Sequence, residues 1–237
     1  MIKFFNPFLN FLFSGRCLIC EKDFESNQRI CEVCLSNIKY ISSPICTRCG
    51  VPFDSEIGRD HLCGTCLISE VYFTRARAVG IYEGVLQEAV HLLKYKGRTL
   101  LAKPLGGILA NCNLDSVDFK SYDFLIPVPL HRKRLRERGF NQALSLARCL
   151  GRKSEVTIDY ISLRRVRWEG PQINLSKKDR ERNVRGAFLC NEDRVKGGNV
   201  LLVDDVYTSG ATVNECAKVL LNAGAARVDV FTLCRAI

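Results

Sequence analysis

Two sets of residues in this chain have the types and spacing to do chemistry. One is a series of four Cys-x-x-Cys pairs near the start: Cys17 and Cys20, Cys31 and Cys34, Cys46 and Cys49, Cys63 and Cys66. A Cys-x-x-Cys turn presents two thiolates to one ion, and two such turns complete a tetrahedron around zinc. Sequential pairing lets each short loop close on its own metal; interleaved pairing fills both sites equally well. All eight ligands are then assigned, so a catalytic zinc with an open position is not expected. His61, beside Cys63, reads as a surface histidine. Of thirteen cysteines the other five, Cys112, Cys149, Cys190, Cys216 and Cys234, are single and stand mostly among apolar residues, as inert core thiols do. An odd total in close pairs argues against a disulfide scaffold and for structural metal in a reducing, cytoplasmic setting.

The second set is the run Val200-Leu201-Leu202-Val203-Asp204-Asp205-Val206-Tyr207-Thr208-Ser209-Gly210-Ala211-Thr212. Four consecutive apolar residues are what a parallel strand covered on both faces looks like. Asp204 and Asp205 suit hydroxyl groups, as acceptors, or a divalent cation, as hard oxygen ligands. The small residues Thr208, Ser209, Gly210, Ala211 and Thr212 let backbone N–H groups approach a phosphate, and a following helix adds its positive end. That helix is predicted from Val213, Cys216, Ala217, Leu220 and Leu221 on one face, with Gly224 as its stop. One ligand satisfies both halves: a sugar phosphate with free vicinal hydroxyls.

Elements must position these groups. Apolar periodicity predicts strands over 77–82, 123–128, 156–163 and 227–233, and helices over 84–94, 100–112 and from 142 to about 150. Residues 175–183 read as a polar element. Strands alternating with helices make an α/β domain with a largely parallel sheet. We place a boundary near residue 70, giving a cysteine module over 1–70 and the α/β domain over 71–237. Residues 1–13 are rich in Phe, Leu and Ile, yet the run is too short to span a bilayer and is interrupted by Pro7 and Asn10. It reads as a short apolar helix that docks on this protein or on a partner. The net charge of +10 is concentrated in two stretches. One holds Arg132, Lys133, Arg134, Arg136 and Arg138. The other runs from Arg164, Arg165 and Arg167 through Lys177, Lys178, Arg180 and Arg182 to Arg185. Such stretches suit a phosphodiester backbone, with Phe140 and Trp168 nearby as stacking groups.

The run 200–212 resembles the PRPP-binding signature of type I phosphoribosyltransferases. That resemblance assigns Asp204 and Asp205 to the ribose hydroxyls and residues 208–212 to the 5-phosphate. The order of motifs narrows it. The cysteine module is followed by Leu93-Lys94-Tyr95-Lys96-Gly97, Ile126-Pro127-Val128-Pro129-Leu130, Arg138-Gly139-Phe140-Asn141-Gln142 and Arg182-Asn183-Val184-Arg185-Gly186-Ala187-Phe188, then by the 200–212 run. Together these are similar to the ComF family of competence proteins, including its GntX-like members. The resemblance implies a double zinc ribbon on a type I phosphoribosyltransferase-like domain, acting in uptake or use of external DNA. One position departs from the family: where a threonine usually stands three residues before Gln172, this chain has Glu169.

Three readings follow. The leading one is a cytoplasmic, PRPP-binding protein of natural competence that binds single-stranded DNA through Arg134, Arg136, Arg138, Arg164, Arg165 and Arg167. Helicase or recombination proteins of competence are expected partners. The second is an active, Mg²⁺-dependent phosphoribosyltransferase for an unidentified base, with Lys94, Arg132 and Lys133 holding the diphosphate. No side chain stands out as a general base. The third is a regulator that uses PRPP as a signal. Distance along the chain implies that changing Cys46 spares the 208–212 loop, and that changing Arg134, Arg136 and Arg138 leaves PRPP binding intact.

Overall fold

The apolar runs of the second half form strands buried from both sides. The computed structural model describes residues 14–25, 28–55, 58–112, 117–168 and 182–237. Residues 1–13, the Glu169 to Gln172 segment, Lys177, Lys178 and Arg180 lie outside that set, and so do the readings placed on them.

The cysteine module contains β1 (Ser14–Arg16), β2 (Asp23–Glu25), α1 (Glu32–Ser36) and α2 (Gly64–Ile68). The α/β part begins with β3 (Ala76–Ile81), α3 (Gly84–Tyr95) and α4 (Ala102–Asn111). It continues through β4 (Phe124–Pro127), α5 (Arg132–Arg138), α6 (Gln142–Ser154), β5 (Thr157–Ile158), β6 (Leu163–Arg165) and β7 (Phe188–Cys190). It closes with α7 (Glu192–Val195), β8 (Asn199–Tyr207), α8 (Ala211–Asn222) and β9 (Arg227–Arg235). The main sheet has five strands in the order β3-β9-β8-β4-β5, and every neighbouring pair is parallel.

Alternation along the strands sorts side chains between two cores. Leu125, Leu201, Val203, Phe231 and Leu233 meet Leu86, Val90 and Leu93 of α3, Leu105 and Leu109 of α4, and Leu146 and Leu150 of α6. Ile126, Val200, Leu202, Val228 and Val230 meet Val213, Cys216, Ala217 and Leu220 of α8. Because both faces are covered, no position of 200–203 is polar. Truncating any of the fully buried leucines or Ile126 to alanine should cost about 2–5 kcal/mol.

The cysteine module covers the open edge of the sheet. β3 is the edge strand, and residues 39–41 and 48 complete its hydrogen bonds. Ile81 N–H donates to the Lys39 carbonyl at 2.9 Å, Ile41 N–H to the Val79 carbonyl at 3.0 Å, and Ala76 N–H to the Arg48 carbonyl at 2.6 Å. An exposed edge is a site for unwanted strand pairing, and this contact removes part of it.

The strand predicted over 156–163 is two short strands in different sheets. Asp159 Oδ1 accepts from the N–H groups of Ile161 at 2.9 Å and Ser162 at 3.0 Å, closing a side-chain turn that ends β5. The chain then enters β6, which pairs antiparallel with β7 away from the main sheet. The 132–138 stretch forms its own short helix, ended by Gly139 at φ 81°. Asn141 caps α6, accepting from Ala143 N–H at 2.9 Å and Leu144 N–H at 3.4 Å. Among the described residues no helix is long and apolar enough to cross a membrane.

Candidate functional site

The eight paired cysteines gather sequentially: Cys17, Cys20, Cys31 and Cys34 form one group, and Cys46, Cys49, Cys63 and Cys66 the other. Cys17 Sγ lies 3.8 Å from Cys34 Sγ, Cys20 3.7 Å from Cys31, and Cys49 3.7 Å from Cys63. A tetrahedron with zinc–sulfur bonds of about 2.3 Å has edges of about 3.8 Å, so the groups fit zinc. Backbone N–H groups already point at the sulfurs: Cys31 N–H at Cys17 (3.4 Å), and Cys49 and Cys63 N–H at Cys46 (3.4 and 3.3 Å). Burial would raise the Cys17 and Cys46 thiols, but these donors outweigh it and lower each to about 6. Burial and the neighbouring sulfurs push Cys34 and Cys66 up instead. Four thiolates therefore need a cation among them. His61 is exposed, stacks on Phe53 with ring centroids 4.0 Å apart, and takes no part in the second group.

At the other centre, β4 and β8 are neighbours in the middle of the sheet. The chain leaves them in opposite directions, β4 towards β5 and β8 towards β9. That is a topological switch point, where open α/β sheets form a crevice beyond the strand ends. Asp204 and Asp205 lie inside β8, which continues to Tyr207, and their side chains point to opposite faces. Asp205 is buried, and Lys94 of α3 places Nζ 2.7 Å from its Oδ2. Burial would lower the Lys94 ammonium, but Asp205 and then Asp204 more than reverse this and raise it. Asp204 is raised well above the carboxylate range by burial and by the charge of Asp205.

Beyond β8, Thr208 is exposed, Ser209, Ala211 and Thr212 are half-buried, and Gly210 is buried. Gly210 precedes α8 with φ 79°, a left-handed conformation that favours glycine. A Cβ there would stand 2.2 Å from the Tyr207 hydroxyl. Ser209 Oγ accepts from Ala211 N–H at 3.4 Å. Gly186 N–H donates to Glu215 at 2.7 Å, so the 182–188 motif borders the N-terminal half of α8.

The basic helix and the described start of the second basic stretch meet at Trp168. The Trp168 ring lies 5.5 Å from that of His131 and 5.2 Å from Lys133 Nζ. Arg132, Lys133 and Arg136 are exposed, as are Arg164 and Arg167, whereas Arg165 stacks over Phe188 at 5.5 Å. Arg134 and Arg138 pack over Tyr95, at 5.9 and 5.8 Å, immediately beside Lys94. Burial and Arg134 lower the Arg138 guanidinium, while Asp205 and Asp204 act on it in the other direction. Sequence distance therefore misleads: the basic helix and the acidic pair share one neighbourhood. Cys46 lies in one core with Tyr207 and Val213. Asn214 and Arg235 carried no signal as site residues, because their partners lie far away in sequence.

A family model for the double zinc ribbon domain matches residues 8–67, and one for the phosphoribosyl transferase domain matches residues 137–237. The class is thus a double zinc ribbon joined to a phosphoribosyltransferase-type α/β domain. The chain is 35% identical to DNA utilization protein YhgH of Salmonella typhi over 94% of its own length and 98% of that protein. It is 28% identical to competence protein ComFC of Bacillus subtilis over 92% and 94%, and 31% identical to competence protein F of Haemophilus influenzae over 96% and 100%. The chain belongs to the ComF family of competence and DNA-utilization proteins.

Proposed function

We propose that this protein binds PRPP, or a related ribose phosphate, at the end of β8 and binds single-stranded DNA along the adjoining basic surface in the cytoplasm. The observation that supports the first half is the join of an acidic pair to a glycine-turned helix start at the switch point. Asp204 and Asp205 accept the ribose hydroxyls, and backbone N–H groups over 208–212 with the Thr208, Ser209 and Thr212 hydroxyls receive the 5-phosphate. Arg132 and Lys133, exposed at the start of α5, and Lys94 are the cations for the diphosphate. Mg²⁺ would take its protein ligands from the acidic pair. Among the described residues no third carboxylate or histidine joins that pair, so such an ion keeps most of its ligands from water and the ligand's own oxygens.

For DNA, Arg132, Lys133, Arg134, Arg136 and Arg138 with Arg164, Arg165 and Arg167 supply the cations, and Trp168 a stacking face. Names of relatives that refer to DNA utilization and competence agree with this role. Helicase or recombination proteins of competence are the expected partners. Catalysis on an unidentified base is the second reading. It is favoured by the same acidic pair, and no described side chain is placed as a general base. The test is fluorescence titration of labelled single-stranded DNA at several salt concentrations, with and without PRPP. Binding that weakens with salt, and that PRPP reduces, supports the proposal, since each neutralised phosphate releases about 0.7 counterion. DNA binding absent at low salt, with PRPP consumed alongside some base, would make the protein an enzyme alone.

A further inference from the structure

The second four-cysteine group is joined to the 208–214 segment by two separate struts. The first runs through Arg235, the last residue of β9, whose backbone is in register with Tyr207 on one side and Ile81 on the other. Its side chain is buried, donates from Nη1 to the Cys49 carbonyl, and stacks its guanidinium 4.6 Å from the centre of the Tyr207 ring. Phe73 meets the same ring edge-on at 6.3 Å. The Tyr207 hydroxyl stands against Gly210, where a methyl group would clash. Cys49, Arg235, Tyr207 and Gly210 thus touch in series. The second strut leaves through the segment after α2. Asn214, in the first turn of α8, accepts from Tyr72 N–H at 2.8 Å and donates to the Glu70 carbonyl at 3.2 Å.

The first four-cysteine group has no such connection among the described residues. Its arginine link is Arg98, which donates to the Leu18 carbonyl at 2.9 Å. That group packs with α3 and α4 in the other core.

We propose that the second four-cysteine unit braces the ligand loop, with Arg235 as the positioning residue that holds Tyr207 against Gly210. The two metal units then have different duties. The first supports the fold of the module; the second also fixes the start of α8, where the anionic end of the ligand is to sit. The geometry gives the reason for an arginine. Its planar guanidinium stacks on Tyr207 and bonds the knuckle carbonyl at once, which an ammonium cannot do. The affinity half of this inference rests on the reading of 208–212 as the phosphate loop; the positional half does not.

The test is hydrogen-exchange mass spectrometry of the full chain, with zinc content and PRPP calorimetry measured on the same samples. Arg235→Met should raise exchange over 208–214 while zinc stays at two per chain, and should weaken PRPP by about tenfold or more, the scale of a desolvated cation–π contact. Arg235→Lys should recover only part of the protection, and Arg98→Met should leave 208–214 as in the wild type. If Arg235→Met does not fold, Tyr207→Phe, which keeps the stack and removes the hydroxyl from Gly210, should show the same change at 208–214 in smaller degree. Unchanged exchange over 208–214 in the folded variant would overturn the proposal. So would an equal rise in Arg98→Met, or loss of zinc accompanying the rise. A wild type that binds no PRPP would sink the ligand assignment alone, and the exchange result would still decide the brace.

Discussion

Asp204 is the residue on which the pH behaviour of the site turns. Burial and the charge of Asp205 raise its carboxyl well above the usual range, with Lys94 opposing them. A carboxylate that accepts ribose hydroxyls or holds a cation must be ionised. Binding therefore competes with the proton: affinity falls as pH drops through the raised pKa and increases above it. Calorimetry in buffers of different ionisation enthalpy should show proton release on binding, smaller at higher pH, and less in Asp204→Asn than in the wild type. Without ligand the sign for stability is the reverse of that for a paired carboxylate. Because the folded pKa exceeds the unfolded one, the folded state binds more protons, and stability declines as pH rises between the two values. Gly210 gives a second residue-scale test. Gly210→Ala meets both a positive φ and the Tyr207 hydroxyl, so the loop must shift. Ligand affinity should drop, and the midpoint of unfolding should fall by the strain of a positive φ, about 1 kcal/mol or more.

At the scale of elements, β9 carries a charge cluster at its start that the site does not use. Asp229 is buried; Arg75 Nε lies 3.0 Å and Arg227 Nη2 2.5 Å from its Oδ2, and the Tyr122 hydroxyl donates to it at 2.6 Å. Asp229→Ala removes the acceptor of Arg75, Arg227 and Tyr122 and should cost about 1.5–3 kcal/mol, read from the urea midpoint, the scale of hydrogen bonds to a charged group, because both arginines are part-exposed and can be solvated. β8, β9, α3 and α8 were legible in the sequence because a strand covered on both faces is apolar along most of its length, and a helix covered on one face shows its period. The acidic pair was legible for the same reason: two carboxylates interrupt a run that otherwise admits none. The break at 159–162 was not, since Val156 to Leu163 has strand-like residues and only Asp159's bonds to Ile161 and Ser162 stop the strand. Nor was the brace, because Arg235 and Cys49 stand 186 positions apart. Proximity of the 132–138 helix to Asp204 and Asp205 depends on Tyr95, a residue that looks like any helical aromatic until Arg134 and Arg138 are seen against it.

For the whole molecule, the zinc module and the sheet form one structure. The module caps β3, its first metal group belongs to the core around α3 and α4, and its second to the core around α8. Purified without chelator, the protein should hold about two zinc ions per chain by elemental analysis; a folded protein with none would remove this claim. Cys46→Ser should lower zinc content and also increase exchange at the start of α8, because site energy is folding energy locally and the two are in contact. The proposed function requires that the loop after β8 be a ribose-phosphate site. Titration calorimetry of the wild type and Asp205→Asn with PRPP and Mg²⁺ measures that directly. The wild type should bind saturably, and the variant more weakly by about 1.5–3 kcal/mol, the scale of a hydrogen bond to a charged group. No binding by the wild type, or equal binding by both, would contradict that assignment.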